Sequence, residues 1–150
     1  MGFFLWMVVG VFLALPGLAS QGNPAPVGTI AVTITGIRVQ QGGTLLVALY
    51  DRESTWLTLD VARFVVRLPV AADSQTAMFR GLPDDSNYAI AVIHDRNGNE
   101  KLDMRWFPIP KPKEGSGVSQ NHERMGKPRY QSARFALLDG QGYQRIEMRY

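Results

Sequence analysis

The sequence predicts an all-β protein, a single antiparallel β-sandwich of about seven strands with one long functional loop. Three observations point to this fold. Apolar and polar residues alternate in several short runs, no helical stretch is long enough to cover a sheet, and clusters of Gly, Pro, Asn and Asp separate the runs. The 150 residues suit one domain built around one hydrophobic core.

The first 19 residues predict a signal peptide. An uncharged apolar run over residues 3–15 is shorter than the roughly 20 residues that cross a bilayer, and Gly17 and Ala19 supply the small residues of a cleavage site. Because Lys and Arg are missing before the run, an uncleaved membrane anchor stays open as the alternative. The predicted organisation is a signal peptide at 1–19, a spacer at 20–27 and a β-sandwich domain at 28–150, exported to the periplasm or secreted, without stable membrane insertion after cleavage.

The predicted strands follow one another in short runs. Ile30, Val32 and Ile34 alternate with polar residues, and a bulge at Gly36 would explain why the alternation then shifts by one residue to Ile37. Residues 53–59 fit either a helical turn or a wide loop. Two further predicted strands, 44–50 and 88–93, are apolar on both faces and are therefore expected to be central. The remaining predicted strands are 64–68, which Pro69 ends, 76–82, 133–137 and 146–150. The turn DGQG separates the last two.

Composition excludes several classes of protein. The chain has no cysteine, so a disulfide framework, a thiolate metal site and a catalytic cysteine are excluded. The 16 basic and 13 acidic residues give a net charge of +3 and are scattered along the chain. Nucleic acid binding, which needs a basic patch or stripe, is therefore not expected.

Residues 95–130 lack a usable period, and a loop that long in a compact domain indicates function. It opens with the stretch HDRNGNEKLD, residues 94–103, whose oxygen-bearing side chains have the spacing of a calcium-binding loop. The predicted calcium ligands are the side-chain oxygens of Asp95, Asn97, Asn99 and Asp103 and the backbone carbonyl of Lys101.

Two positions depart from such a loop. Glu100 stands where a glycine makes the sharp turn, and Trp106 stands where a bidentate glutamate is expected, unless Glu114 folds back to supply it. The nearby charges also cancel, so any calcium site would be weak, with a dissociation constant of roughly 0.1 to 1 mM or worse. The sequence requires no cofactor, and weakly bound calcium is the candidate that the spacing favours.

Two other interpretations of the stretch stay open. In the first, the Asp and Asn side chains hold a structured turn without metal, because they accept hydrogen bonds from amides two residues further on. In the second, His94, Asp95 and His122 bind a transition metal such as zinc or copper. His94 is otherwise expected to end its strand with its ring bonded across to the long loop.

Three segments resemble a bacterial exported family that is catalogued as a domain of unknown function, DUF2141. They are YAIAVIHDRNGNEKLD, PIPKPKEGSGVSQN and KPRYQSARFAL, between Tyr88 and Leu137. The resemblance implies a transthyretin-like or carboxypeptidase-regulatory-like β-sandwich, but no reaction, because no activity is established for the family. The chain departs from the family pattern at Glu100, where the family has glycine, at Val118, where it has an aromatic residue, and at Lys111 with Pro112, which resemble a small insertion.

The same segments suggest further roles. Tyr88 occupies a corner position from which its hydroxyl would bond to a nearby backbone carbonyl, and the glycine-rich EGSG would approach its own scaffold closely. The aromatic and proline-rich stretch from Trp106 to Pro112 either packs over an open edge of the sandwich or forms a binding surface. The structural or binding residues predicted in and around the long loop are His94, Trp106, Phe107, Glu114, Gly115, Gly117, Ser119, Asn121 and Pro128.

Catalysis has little support in the sequence. EGSGVS is not the G-x-S-x-G turn of hydrolases, and NHERMG is not the H-E-x-x-H of metalloproteases. Ser116 and Ser119 lie near His122 in sequence, yet nothing selects a third group to orient a base. The sequence therefore favours a non-enzymatic binding or accessory module of the cell envelope, with an unidentified envelope protein or polymer as partner. A calcium-dependent interaction module is the alternative, and a metal-dependent enzyme comes third.

Overall fold

The computed structural model describes residues 27–105, 111–121 and 126–150, and these form two main β-sheets that share one apolar core. The all-β prediction is confirmed. Single helical turns occur at Tyr130–Ala133 (α1) and, in 3₁₀ form, at Val39–Gln41, Glu53–Thr55 and Leu59–Val61. Ser119–Asn121 forms a tight turn in which Gln120 has a φ of +65°. The strands of the described part are β1 (Val27–Thr35), β2 (Thr44–Tyr50), β3 (Phe64–Pro69), β4 (Ser74–Pro83), β5 (Asn87–Asp95), β6 (Met104–Arg105), β7 (Lys111–Pro112), β8 (Gly115–Val118), β9 (Phe135–Ala136) and β10 (Gln141–Glu147).

The predicted signal peptide, and the spacer before Val27, lie outside the described residues. Within the described ranges, no helix has the length and apolar character needed to cross a membrane.

One sheet has the strand order β10-β1-β4, and one of its pairs corrects the antiparallel prediction. β1 and β4 are antiparallel, whereas β1 and β10 run parallel, with Thr29 opposite Gln141 and Thr35 opposite Glu147. The cause is the position of the turn that precedes β10. The carbonyl of Gly140 accepts the amide of Thr29 at 2.8 Å, so β10 begins beside the start of β1 and follows it in the same direction.

The other sheet has the order β3-β2-β5-β8 and is antiparallel throughout, with β9 added to the start of β5. β2 and β5 are central, as predicted. On the inner face, β2 packs Leu45, Val47 and Leu49 against the three-stranded sheet. On the outer face, a second apolar cluster lies under loops and the α1 turn, which explains why both central strands are apolar on two sides.

Trp56 shows how the outer face is covered. It follows the 3₁₀ turn at Glu53–Thr55, in the segment whose conformation the sequence leaves open. Its ring meets the edges of Tyr50 and Tyr130, with centroids at 5.1 and 5.9 Å, and its indole N–H donates to the carbonyl of Pro128 at 2.9 Å. Pro128, predicted as a loop residue, thus helps to fix the covering layer.

Several predicted boundaries need correction. Gly36 does not continue β1 through a bulge: the strand ends at Thr35, and Gly36 has a φ of +72°. The strand predicted over 133–137 is reduced to β9, because Tyr130–Ala133 forms a helical turn that packs its buried residues on the sheet. The last strand begins earlier than predicted, at Gln141. The corner role of Tyr88 is confirmed, since its hydroxyl donates to the carbonyl of Pro83 at 2.7 Å.

Candidate functional site

The candidate site is the loop at the carboxyl end of β5, called the corner loop below and comprising residues 95–103. The β2–β5 register places Asp95 opposite Thr44 at the end of the central strand pair. Gly43 makes room for this approach: a Cβ there would lie 2.4 Å from the carbonyl oxygen of Asp95. The corner loop therefore starts at the end of the two central strands of the five-stranded sheet.

Asp95 organises the first turn of the corner loop. Its side chain is almost fully buried, with 2% of the residue exposed. Oδ1 accepts the amides of Gly98 at 2.8 Å and Asn99 at 3.3 Å, and Oδ2 accepts the amide of Glu100 at 2.9 Å. The carboxylate thus replaces water as the partner of three successive amides. This is a structured turn of the kind that one interpretation of the sequence expected, but the bonded amides lie three to five residues beyond Asp95 and not two.

Glu114 ties the two ends of the corner loop together. It is 1% exposed and follows β7, yet it reaches back to the loop. Oε1 accepts the amide of Arg96 at 3.0 Å, and Oε2 accepts the amide of Asp103 at 3.3 Å. Residues 95–103 are therefore closed into a ring by a side chain that lies 11 residues beyond Asp103 in sequence.

Asn97 and Asn99 converge on Asp103. Their Nδ2 groups donate to the two carboxylate oxygens of Asp103 at 2.9 and 3.1 Å, while their Oδ1 atoms accept backbone amides two residues on. The predicted calcium ligands Asp95, Asn97, Asn99 and Asp103 thus lie in one loop, but the oxygens of both Asn side chains already accept amides. A cation beside Asp103 would require both carboxamides to turn. Among the described residues, no group of three or more His, Asp or Glu side chains is arranged to hold a metal ion.

Glu100 adopts the strained conformation that its position requires. Its φ is +55°, in the left-handed region that favours glycine, as the spacing of the stretch implied. Its carboxylate pairs with Arg67 of β3 through two hydrogen bonds of 2.8 and 2.9 Å. The hydrogen bonds from Arg67 hold the pKa of Glu100 below its ordinary value. Lys101, whose backbone carbonyl is the remaining predicted calcium ligand, has an exposed side chain, and its amide donates to Oδ1 of Asn99.

His94 is buried between the sheets and does not bond to the long loop as predicted. Nδ1 lies 2.8 Å from the hydroxyl of Tyr150, and Nε2 contacts the carbonyl of Gly42. A carbonyl only accepts, so Nε2 carries the proton, and in the neutral ring Nδ1 accepts from Tyr150. The Tyr150 hydroxyl also accepts the amide of Arg38 at 3.0 Å. With both ring nitrogens engaged, His94 has a structural role in this arrangement.

The second half of the long loop is more regular than predicted, because it contains β6, β7 and β8, and β8 joins the sheet beside β5. Gly115 and Gly117 face inward, where a Cβ would lie 2.4 Å from the Tyr150 ring and 2.6 Å from Ile146. The predicted close approach of this segment to its scaffold is confirmed.

Ser119 is fully buried and bridges two elements. Its Oγ accepts the amide of Ile90 at 2.9 Å and donates to the carbonyl of Ala133 at 2.6 Å. This bonding explains its presence without a catalytic role. Trp106, Phe107 and His122 lie outside the described residues, and so does the side chain of Asn121; the predictions for them stay predictions.

Two features were not found by sequence reasoning. One is Arg67, whose place in the alternating pattern of β3 gives no sign that it pairs with a residue 33 positions away. The other is a shallow groove of about 320 Å³ on the outer face of the three-stranded sheet. Its walls include the exposed side chains of Val27, Met78 and Tyr143.

No curated protein and no solved structure gives a significant match. Residues 32–145 match the model of a family described as an uncharacterized protein conserved in bacteria, DUF2141. The match runs from the middle of β1 into β10 and includes the whole corner loop. The chain therefore belongs to the DUF2141 family.

Proposed function

We propose that this protein is an exported, non-enzymatic binding or accessory module of the bacterial cell envelope, and that the corner loop forms its recognition surface. The observation that carries the proposal is the burial of two carboxylates, Asp95 and Glu114, whose hydrogen bonds go to five backbone amides between Arg96 and Asp103. The apolar segment at residues 3–15 supports export.

The chemistry of the corner loop supports recognition. Burying a carboxylate costs free energy unless hydrogen bonds compensate it, so a fold that buries two of them under an exposed loop gains mainly a fixed loop shape. A fixed shape lowers the entropy lost when a partner binds. Outside this frame, the loop exposes the side chains of Arg96, Asn97, Asn99 and Lys101.

A pair of surface variants tests the proposal. Lys101→Glu reverses a charge on the corner loop, and Arg80→Glu reverses one on the outer face of the three-stranded sheet; both side chains are exposed. Immobilised wild-type protein and Arg80→Glu should capture the same components of an envelope extract, whereas Lys101→Glu should lose them. Equal capture by all three proteins would contradict recognition by the loop. N-terminal sequencing of exported material tests export, with a start near Ser20 expected.

A calcium-dependent interaction module is the second candidate, and one observation favours it. The left-handed conformation of Glu100 at the glycine position gives the backbone the sharp turn of a calcium loop. Calorimetric titration with calcium chloride should then give a dissociation constant of roughly 0.1 to 1 mM. Asp103→Ala should abolish the heat while the protein stays folded, and Ser116→Ala should leave it unchanged. No heat with wild-type protein would remove this candidate.

We further propose that the two sheets form a transthyretin-like sandwich. Support comes from one apolar core shared by both sheets and from the corner contact of Tyr88 at the start of β5. An experimental structure whose strand order superimposes on transthyretin would support this topology, and a different strand order would contradict it.

A further inference from the structure

Asn97 and Gly98 form the one Asn–Gly pair of the sequence, and both residues are exposed at the tip of the corner loop. Such a pair is chemically labile because glycine has no Cβ to shield its nitrogen. The Gly98 nitrogen attacks Cγ of Asn97: a new N–Cγ bond forms, the Cγ–Nδ2 bond breaks, and ammonia leaves with the proton from Gly98. Water then opens the cyclic imide to give aspartate or isoaspartate. The only co-reactant is water.

The folded loop restrains the attacking nitrogen. The amide of Gly98 donates to Oδ1 of Asp95 at 2.8 Å, so the nitrogen cannot lose its proton and turn towards Cγ until this bond opens. Asp95 is itself 2% exposed and is held by the amide of Glu100 at 2.9 Å. The restraint on Gly98 is therefore anchored in the buried base of the loop.

The folded loop also restrains the carboxamide that would be attacked. Oδ1 of Asn97 accepts the amide of Asn99 at 3.1 Å, and Nδ2 donates to Asp103 at 2.9 Å. Both ends of the carboxamide are thus engaged with groups other than Gly98. The side chain cannot rotate to present Cγ to the Gly98 nitrogen while these two bonds persist.

We propose that Asn97–Gly98 is a deamidation site that the folded corner loop keeps closed, with Asp95 as the positioning residue that restrains the Gly98 nitrogen. Reaction at this site places a new carboxylate beside Asp103, and the isoaspartate product adds a methylene to the backbone of a tight turn. Either product disturbs the frame of the loop. The proposal does not depend on what the loop binds.

Mass spectrometry of the purified protein, incubated in mildly alkaline buffer, tests this proposal through the mass gain that accompanies replacement of an amide by an acid. Wild-type protein unfolded in concentrated urea gives the upper limit of the rate. Folded Asp95→Ala should deamidate at Asn97 roughly tenfold to hundredfold faster than folded wild type, the factor expected for loss of a hydrogen bond to a charged group. Fragmentation of the peptides locates the gain, and Asn97→Gln should abolish it at residue 97, because glutamine cannot close the five-membered ring.

Other results would overturn the proposal. An equal rate in folded wild type and folded Asp95→Ala would mean that Asp95 does not restrain Gly98, and a slower rate in the variant would mean that the carboxylate promotes the reaction as a base. Should Asp95→Ala fail to fold, hydrogen exchange of the Gly98 amide in the wild-type protein tests whether the folded loop restrains this nitrogen. Protection well above that in urea supports the restraint, and exchange as fast as in urea contradicts it.

Discussion

Replacement of Asp95 by alanine should cost far more stability than the same change at Asp103. The Asp95 carboxylate is 2% exposed and accepts two short hydrogen bonds, of 2.8 and 2.9 Å, and a longer one of 3.3 Å. A hydrogen bond to a charged group contributes about 1.5–3 kcal/mol, and the released amides of an exposed loop regain part of it from water, so we expect a loss of about 2–3 kcal/mol. Asp103 is only half-buried and receives two Asn side chains, so its replacement should cost under about 1 kcal/mol.

Urea denaturation of the wild type and both variants measures these losses. The slopes of the unfolding free energy against urea should agree between the proteins, so that differences in midpoint report stability alone. Each protein should also be measured with millimolar calcium. A site with a dissociation constant of roughly 0.1 to 1 mM would gain only about 0.4 to 1.4 kcal/mol from 1 mM calcium, so calcium should change the midpoints little.

The outcome that refutes the reasoning is equal stability loss in the two variants. Equal and negligible losses would show that the hydrogen bonds to Asp95 do not stabilise the fold. Equal losses that occur only when calcium is present would instead show that both residues act by binding the ion.

Three further predictions follow from contacts outside the corner loop. Gly115→Ala should destabilise the protein by about 1–3 kcal/mol, because the new methyl group would overlap the Tyr150 ring. In a Tyr150→Ala background, the same change at Gly115 should cost much less. An equal cost in both backgrounds would contradict this contact. Ser119→Ala should cost about 1–3 kcal/mol in denaturation experiments, because it leaves the buried amide of Ile90 and carbonyl of Ala133 without this partner. The control Ser116→Ala, at a half-buried position, should cost only about 0.3 kcal/mol. A loss for Ser119→Ala as small as that of the control would contradict the bridging role of Ser119. Burial raises the pKa of Tyr50 to about 12. The stability that the neutral phenol contributes is therefore fully present below the ordinary tyrosine pKa, and it is lost as the pH rises through the pKa of the folded state. An absorbance titration in which all tyrosines ionise near pH 10 while the protein stays folded would contradict this prediction.

The sequence by itself determined the all-β class, the central strand at 44–50 and the presence of an oxygen-rich turn that begins at Asp95. These features depend on residues a few positions apart. Alternation reports which side chains can share a sheet face, an Asp before Asn-Gly can cap the amides that follow, and the spacing of the stretch places a left-handed residue at Glu100. Each of these features can be predicted without knowing which distant residues contact the segment.

Only the tertiary structure decided the contacts between distant parts of the chain. His94 bonds to Tyr150 across 56 positions, and Glu100 pairs with Arg67 across 33. The parallel placement of β10 beside β1 likewise follows from where the chain turns, at Asp139 and Gly140, and not from any pattern within either strand. A local pattern fixes which face of a strand is buried. The packing of the whole core decides which strand lies beside it. Side chains far apart in sequence can become partners only after that neighbour is in place.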